Sequence, residues 1–86
     1  MSMEVRQAFG RRVRYLREER KLSLRQFAAT IDMDKSFLSN IEHGRKSPSL
    51  DTIERVAGGL DVTMSYLMFE IDSKKVFNEY DRPPRR

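Results

Sequence analysis

The residues best suited to chemistry sit in one short run, KSFLSNIEH at positions 35–43, followed by GRKS at 44–47. A helix over this run places Phe37, Leu38 and Ile41 on one side and leaves Lys35, Ser36, Ser39, Asn40 and His43 on the other. Serine and asparagine are mediocre helix formers, so propensity does not explain their presence. Their donors and acceptors suit base edges: lysine donates to guanine O6 and N7, and asparagine pairs bidentately with adenine. Arg45, Lys46 and Ser47 follow as a donor-rich turn, suited to phosphate oxygens that set register and affinity without reading sequence. An ordinary solvated face would carry similar residue types, so the surrounding pattern has to separate the two readings.

That pattern is two short helices joined by a tight turn. Leu24, Phe27, Ala28 and Ile31 follow the i, i+3, i+4, i+7 stripe of an amphipathic helix. Ser23 and Gln26 form a capping box at its start. Asp34 is placed to cap the second helix, and Gly44 stops it, being the residue type best able to turn left-handed at C′. Ala28 stands among larger apolar residues, where a close helix crossing requires a small side chain. The arrangement is that of a helix-turn-helix motif with its reading helix second.

Catalysis has little to work with. His43 is the only histidine and there is no cysteine, so neither a nucleophilic pair nor a metal cage of the usual kind is available. No glycine-rich phosphate loop follows a strand. The chain is therefore expected to be no enzyme, with no metal and no cofactor. Lack of cysteine fits a reducing cytoplasm, and no apolar run approaches a membrane span. Seventeen Lys plus Arg against thirteen Asp plus Glu give a net charge of +4 over 86 residues, which favours polyanions without demanding them.

The flanking chain reads as further helices. One spans roughly 3–20, with a core stripe at Val5, Phe9, Val13 and Leu16 and Arg17 at the edge of the buried face. The other arginines of this helix are expected in solvent, with one or two near a phosphate. Ser49 caps a fourth helix that buries Leu50, Ile53, Val56, Ala57 and Leu60, with Gly58 and Gly59 near its end explained by fraying or by a close contact. Thr63 caps a short fifth helix over 64–68.

The run from Phe9 to Leu67, about two-thirds of the chain, resembles the Cro/repressor-type (xenobiotic response element) helix-turn-helix family. The matching segments are FGRRVRYLREERKLS at 9–23, QFA at 26–28, FLSNIEHGRKSPSL at 37–50 and IERVAGGLDV at 53–62. The resemblance implies an all-α, compact five-helix bundle of the lambda repressor-like type. It also implies a sequence-specific regulator that dimerises on a palindromic operator. Lys35, Ser36, Ser39 and Asn40 would then read bases, while Arg25, His43, Arg45, Lys46 and Ser47 contact phosphates. An ion pair between Arg17 and Glu42 is implied at the matching motif positions. Two residues depart from the family pattern. Asp32 stands where glycine is common, in a turn it tolerates, and Leu24 replaces a glutamine that touches the DNA backbone.

The LSNIEHGRKSPSL stretch is similar to the restriction–modification controller proteins within that family, with a small phage-repressor-like regulator as the other reading. Residues 1–69 are taken as the DNA-binding domain and 70–86 as an extension for dimer or partner contact, with its end disordered. Met64, Tyr66, Leu67, Met68, Phe69 and Ile71 are more apolar residues than one short surface helix needs, and the family often dimerises here. They either form that interface or close the core from below. The alternative function is an antitoxin-like module whose 70–86 segment binds a protein partner.

Overall fold

The computed structural model describes residues 1–72. Among them are five helices: α1 (Met3–Glu19), α2 (Leu24–Thr30), α3 (Lys35–Glu42), α4 (Leu50–Leu60) and α5 (Met64–Leu67). Each begins on a residue whose side-chain oxygen accepts from a backbone N–H of its first turn. The caps are Ser2, Ser23, Asp34, Ser49 and Thr63. Each satisfies a donor that the helix itself leaves unpaired, typically worth about 1 kcal/mol. In the capping box of α2, Gln26 Oε1 accepts from Ser23 N–H at 2.8 Å.

The C-terminal ends share a second device. Helices α1 to α4 stop on left-handed residues: Lys21 (φ 60°), Asp32 (φ 52°), Gly44 (φ 71°) and Asp61 (φ 57°). The amide after each donates back across the last turn: Leu22 to Arg17, Met33 to Ala28, Arg45 to Asn40 and Val62 to Ala57. That pattern uses up carbonyls that the helices leave open and turns the chain sharply. Three of these four stops are not glycine.

Phe9, Val13, Leu16, Phe27, Leu38 and Leu60 are fully buried at the centre of the core. Gly59 lies where α4 crosses α2: a Cβ there would run into Ile31 Cγ2 and come within 2.9 Å of Phe27 Cε1. A close contact, not fraying, accounts for this glycine. At Gly58 a Cβ would meet nothing.

Two expectations need correction. Leu50 is 74% exposed rather than buried, because it opens α4 one turn ahead of Ile53, beyond the part of the helix that faces the bundle. Several arginines in α1 and at its C-cap are not in solvent. Arg12, 4% exposed, donates to the carbonyls of Leu67 (3.2 Å) and Phe69 (3.1 Å), and Arg20 Nε donates to Leu60 O at 2.9 Å. A guanidinium at a helix C-terminus satisfies open carbonyls and opposes the negative end of the dipole. A four-residue helix has little stability of its own, so Arg12 and the buried Leu67 hold α5 in place.

Candidate nucleic-acid interface

Helix α3 is fixed from behind. Leu38 and Ile41 enter the core, and Glu42 is buried against α1. Arg17 grips Glu42 with two hydrogen bonds, Nε to Oε2 at 2.7 Å and Nη2 to Oε1 at 2.9 Å. The hydrogen bond from Arg17 to Glu42 raises the arginine's pKa against the opposing effect of burial, so the guanidinium stays charged. Its remaining Nη1 donates to Leu22 O at 2.8 Å, tying the α1–α2 connection to the same group.

The rest of α1 completes the seat. A Cβ at Gly10 would collide with the carbonyls of Ile41 and Glu42, so only glycine lets α1 approach the last turn of α3 this closely. Gly44 sits against Gln7, and Arg6 Nε donates to Gly44 O at 3.3 Å. The start of α3 is set by Asp34, whose Oδ2 accepts from Phe37 N–H at 3.0 Å, and by the left-handed Asp32. Both ends and the inner face are therefore fixed by contacts to α1, α2 and the turn.

The free face carries the expected readers. Lys35 and Ser36 are exposed, and Ser39 and Asn40 are half-buried. Their spacing of one, four and five residues puts them on neighbouring rows of one helix surface. Asn40 Oδ1 accepts only a long contact, 3.5 Å, from Arg45 Nη1, and such a bond is weak. His43 caps α3, with Nδ1 at 2.8 Å from Ser39 O. With that nitrogen donating to a carbonyl, the second one donates to a phosphate only in the imidazolium form. Arg45, Lys46 and Ser47 are exposed in the following turn, and Arg25 is exposed at the start of α2.

Phe37 and Leu24 are half-buried and pack against the core, on the side where the apolar pattern puts them. Leu67 is fully buried, which removes it from a dimer interface: its side chain fills the core beneath α5. Met64, Tyr66, Met68 and Ile71 are half-buried, and Phe69 remains 40% exposed. Residues 73–86, most of the expected extension with its disordered end, lie outside the described residues.

Beside α3, the α2–α3 turn and α4 enclose a cleft lined by Asp32, Met33, Asp34, Phe37, Asp51, Thr52 and Arg55. Three carboxylates make this side a poor track for a phosphate backbone. Among the described residues no group of His, Asp and Glu side chains is arranged to hold a metal ion, and no helix is long and apolar enough to cross a membrane.

Comparison with known proteins agrees with this geometry. A family model described as Helix-turn-helix matches residues 13–67. Control protein C.MunI from Mycoplasma sp is 36% identical over 72 residues, which span 83% of this chain and 97% of that protein. The crystal structure of the restriction-modification controller protein C.AhdI from Aeromonas hydrophila superimposes with a TM-score of 0.69. It is 33% identical over 71% of this chain and 92% of that one. SinR, a master regulator for biofilm formation solved in complex with DNA, gives a TM-score of 0.66 and 34% identity. That match covers 70% of this chain and 97% of that one.

Proposed function

The chain belongs to the helix-turn-helix family of DNA-binding transcriptional regulators, and from that premise we propose that it binds a two-fold-related operator as a homodimer, with one α3 in each of two successive major grooves. The observation that carries this reading is a helix locked on its inner face and at both ends, with Lys35, Ser36, Ser39 and Asn40 on the remaining face. Rigid positioning matters because a bidentate base contact tolerates little misplacement, and each good one discriminates by about 1–3 kcal/mol. His43, Arg45, Lys46 and Ser47 follow that face at the end of α3, Arg25 is exposed at the start of α2, and these five are assigned the phosphate contacts. The apolar side chains Met64, Tyr66, Met68, Phe69 and Ile71 form the surface between protomers. Phe69 is 40% exposed while Met64, Tyr66, Met68 and Ile71 are half-buried against the core; the apolar area left outward there fits a partner surface, and the two half-sites then lie about 34–36 Å apart.

The match to C.MunI across 97% of that protein supports a controller-type regulator. Regulation follows from occupancy of DNA at a promoter, and occupancy depends on protein concentration through dimerisation. Titration of the isotopically labelled protein with a duplex, followed by backbone amide shifts, tests the interface. Shifts concentrated at 25 and 35–47 are expected. Shifts confined to other surfaces, with 35–47 unchanged, overturn the assignment.

A further inference from the structure

Arg6, Arg12, Arg17 and Arg20 each reach the end of another helix, but they are not held alike. Arg12 donates to carbonyls from both terminal nitrogens. Arg17 uses all three of its nitrogens, on Glu42 and on Leu22 O. Arg20 donates from Nε and Nη1 to the carbonyls of Leu60 and Leu16 and meets Glu19 at 3.4 Å. Arg6 is anchored through Nε alone, on Gly44 O at 3.3 Å. Among the described residues its Nη1 and Nη2 have no partner, and the side chain forms no ion pair. Its neighbours one turn away on α1 are Ser2, Met3, Phe9 and Gly10, so no carboxylate shares its row. Glu4, two positions off, lies on a different face of the helix.

The anchor fixes where this charge stands. Gly10, one turn further along α1, lies against the carbonyls of Ile41 and Glu42, and Gln7 packs on Gly44. The start of α1 therefore runs beside the end of α3, and Gly44 leads directly into the exposed Arg45, Lys46 and Ser47. A half-buried guanidinium is thus held next to two further cations, and the carbonyl that holds it carries no charge to offset its own. Like charges gathered this way repel one another until an anion enters among them. The two terminal nitrogens together present the paired N–H donors that match phosphate oxygens. We infer that Arg6 is a further DNA-contacting residue, with Gly44 O holding Nε while Nη1 and Nη2 donate to a phosphate of the strand that the Arg45–Ser47 turn follows. Because the stem is already tethered, the contact costs less side-chain entropy than one from an untethered surface arginine. It also ties α1 itself to the duplex, so that the orientation of the domain on DNA is set from two elements. The inference rests on the DNA-binding reading above and adds a residue to that site.

Glutamine separates the two roles of this side chain. Its Nε2 follows Cδ just as the arginine Nε does, so Arg6→Gln keeps a donor for Gly44 O and removes the charge with both terminal nitrogens. The test measures binding of the full-length unsubstituted and Arg6→Gln chains to a fluorescent duplex of random sequence across a potassium chloride series. Loss of one phosphate contact lowers the slope of log affinity against log salt by about 0.9 per protomer. That shallower slope is the expected result, with weaker binding at low salt and an unchanged melting temperature. Arg14→Gln, which removes a cation paired with Glu18 elsewhere on α1, should keep the original slope. A slope in Arg6→Gln equal to that of the unsubstituted chain overturns the inference and leaves Arg6 only a cap on α3. An equal loss of slope in Arg14→Gln also overturns it, since any cation of α1 would then serve. Absence of duplex binding by the unsubstituted chain overturns the DNA-binding reading itself.

Discussion

Arg17 and Glu42, twenty-five positions apart, meet in a buried two-point ion pair that joins the last turn of α1 to the last turn of α3. Glu42→Ala leaves the guanidinium buried without its counter-charge, so a loss of about 3–5 kcal/mol is expected in urea unfolding. Arg17→Lys, with Glu42 kept, should also destabilise the fold, because a single ammonium cannot match both carboxylate oxygens. The pair raises the pKa of Arg17. Its contribution is therefore fully present below the ordinary arginine range and lost only above it, and unfolding between neutral pH and about pH 10 should show no weakening from this group.

The adjacent glycines of α4 are expected to respond in opposite directions. Gly58→Ala meets open space and should stabilise the helix by roughly 0.5–1 kcal/mol. Gly59→Ala forces a methyl into Ile31 and Phe27 in the core and should cost about 1–3 kcal/mol. Thermal melts of the two variants decide the point, and equal effects would contradict the packing described.

Lys21 ends α1 in a left-handed conformation at φ 60°. A non-glycine residue there carries a backbone cost of about 1–2 kcal/mol, so Lys21→Gly should raise stability, by at most that amount. The gain should appear in chemical denaturation without a change in DNA selectivity, because Lys21 is not among the side chains on the free face of α3.

Ser39→Ala and Asn40→Ala should relax sequence preference while the protein melts normally, since neither side chain enters the core. The comparison is affinity for a selected duplex against a scrambled one, with about 1–3 kcal/mol lost for each good base contact. Arg45→Gln or Lys46→Gln should instead weaken binding to both duplexes alike and reduce the salt slope by about one.

What the sequence made legible was local. Caps announce themselves by residue type at helix starts, and the free face of α3 follows from periodicity, so Ser23, Asp34, Ser49 and the outward row from Lys35 to Asn40 were readable. Arg12 and Arg20 were not. Their carbonyl partners lie 55 and 40 positions away, and a surface-like run of arginines gives no sign of which helix end each will meet. Leu50 misleads for a related reason: a hydrophobic stripe continues past the point where the bundle stops covering it. Gly59 carries only an ambiguous signal, because a glycine in a helix marks a close approach or a weak end equally well. Leu67 shows the same limit at the proposed interface, where apolar composition cannot divide core from patch.

The most direct measurement is selection of bound duplexes from a random library, followed by sequencing of the enriched pool. A motif of two inverted half-sites, centred one helical turn apart, is the predicted result, with the bases facing Lys35 and Asn40 among the most constrained. Binding that enriches no motif would contradict sequence-specific recognition by α3, whatever the affinity.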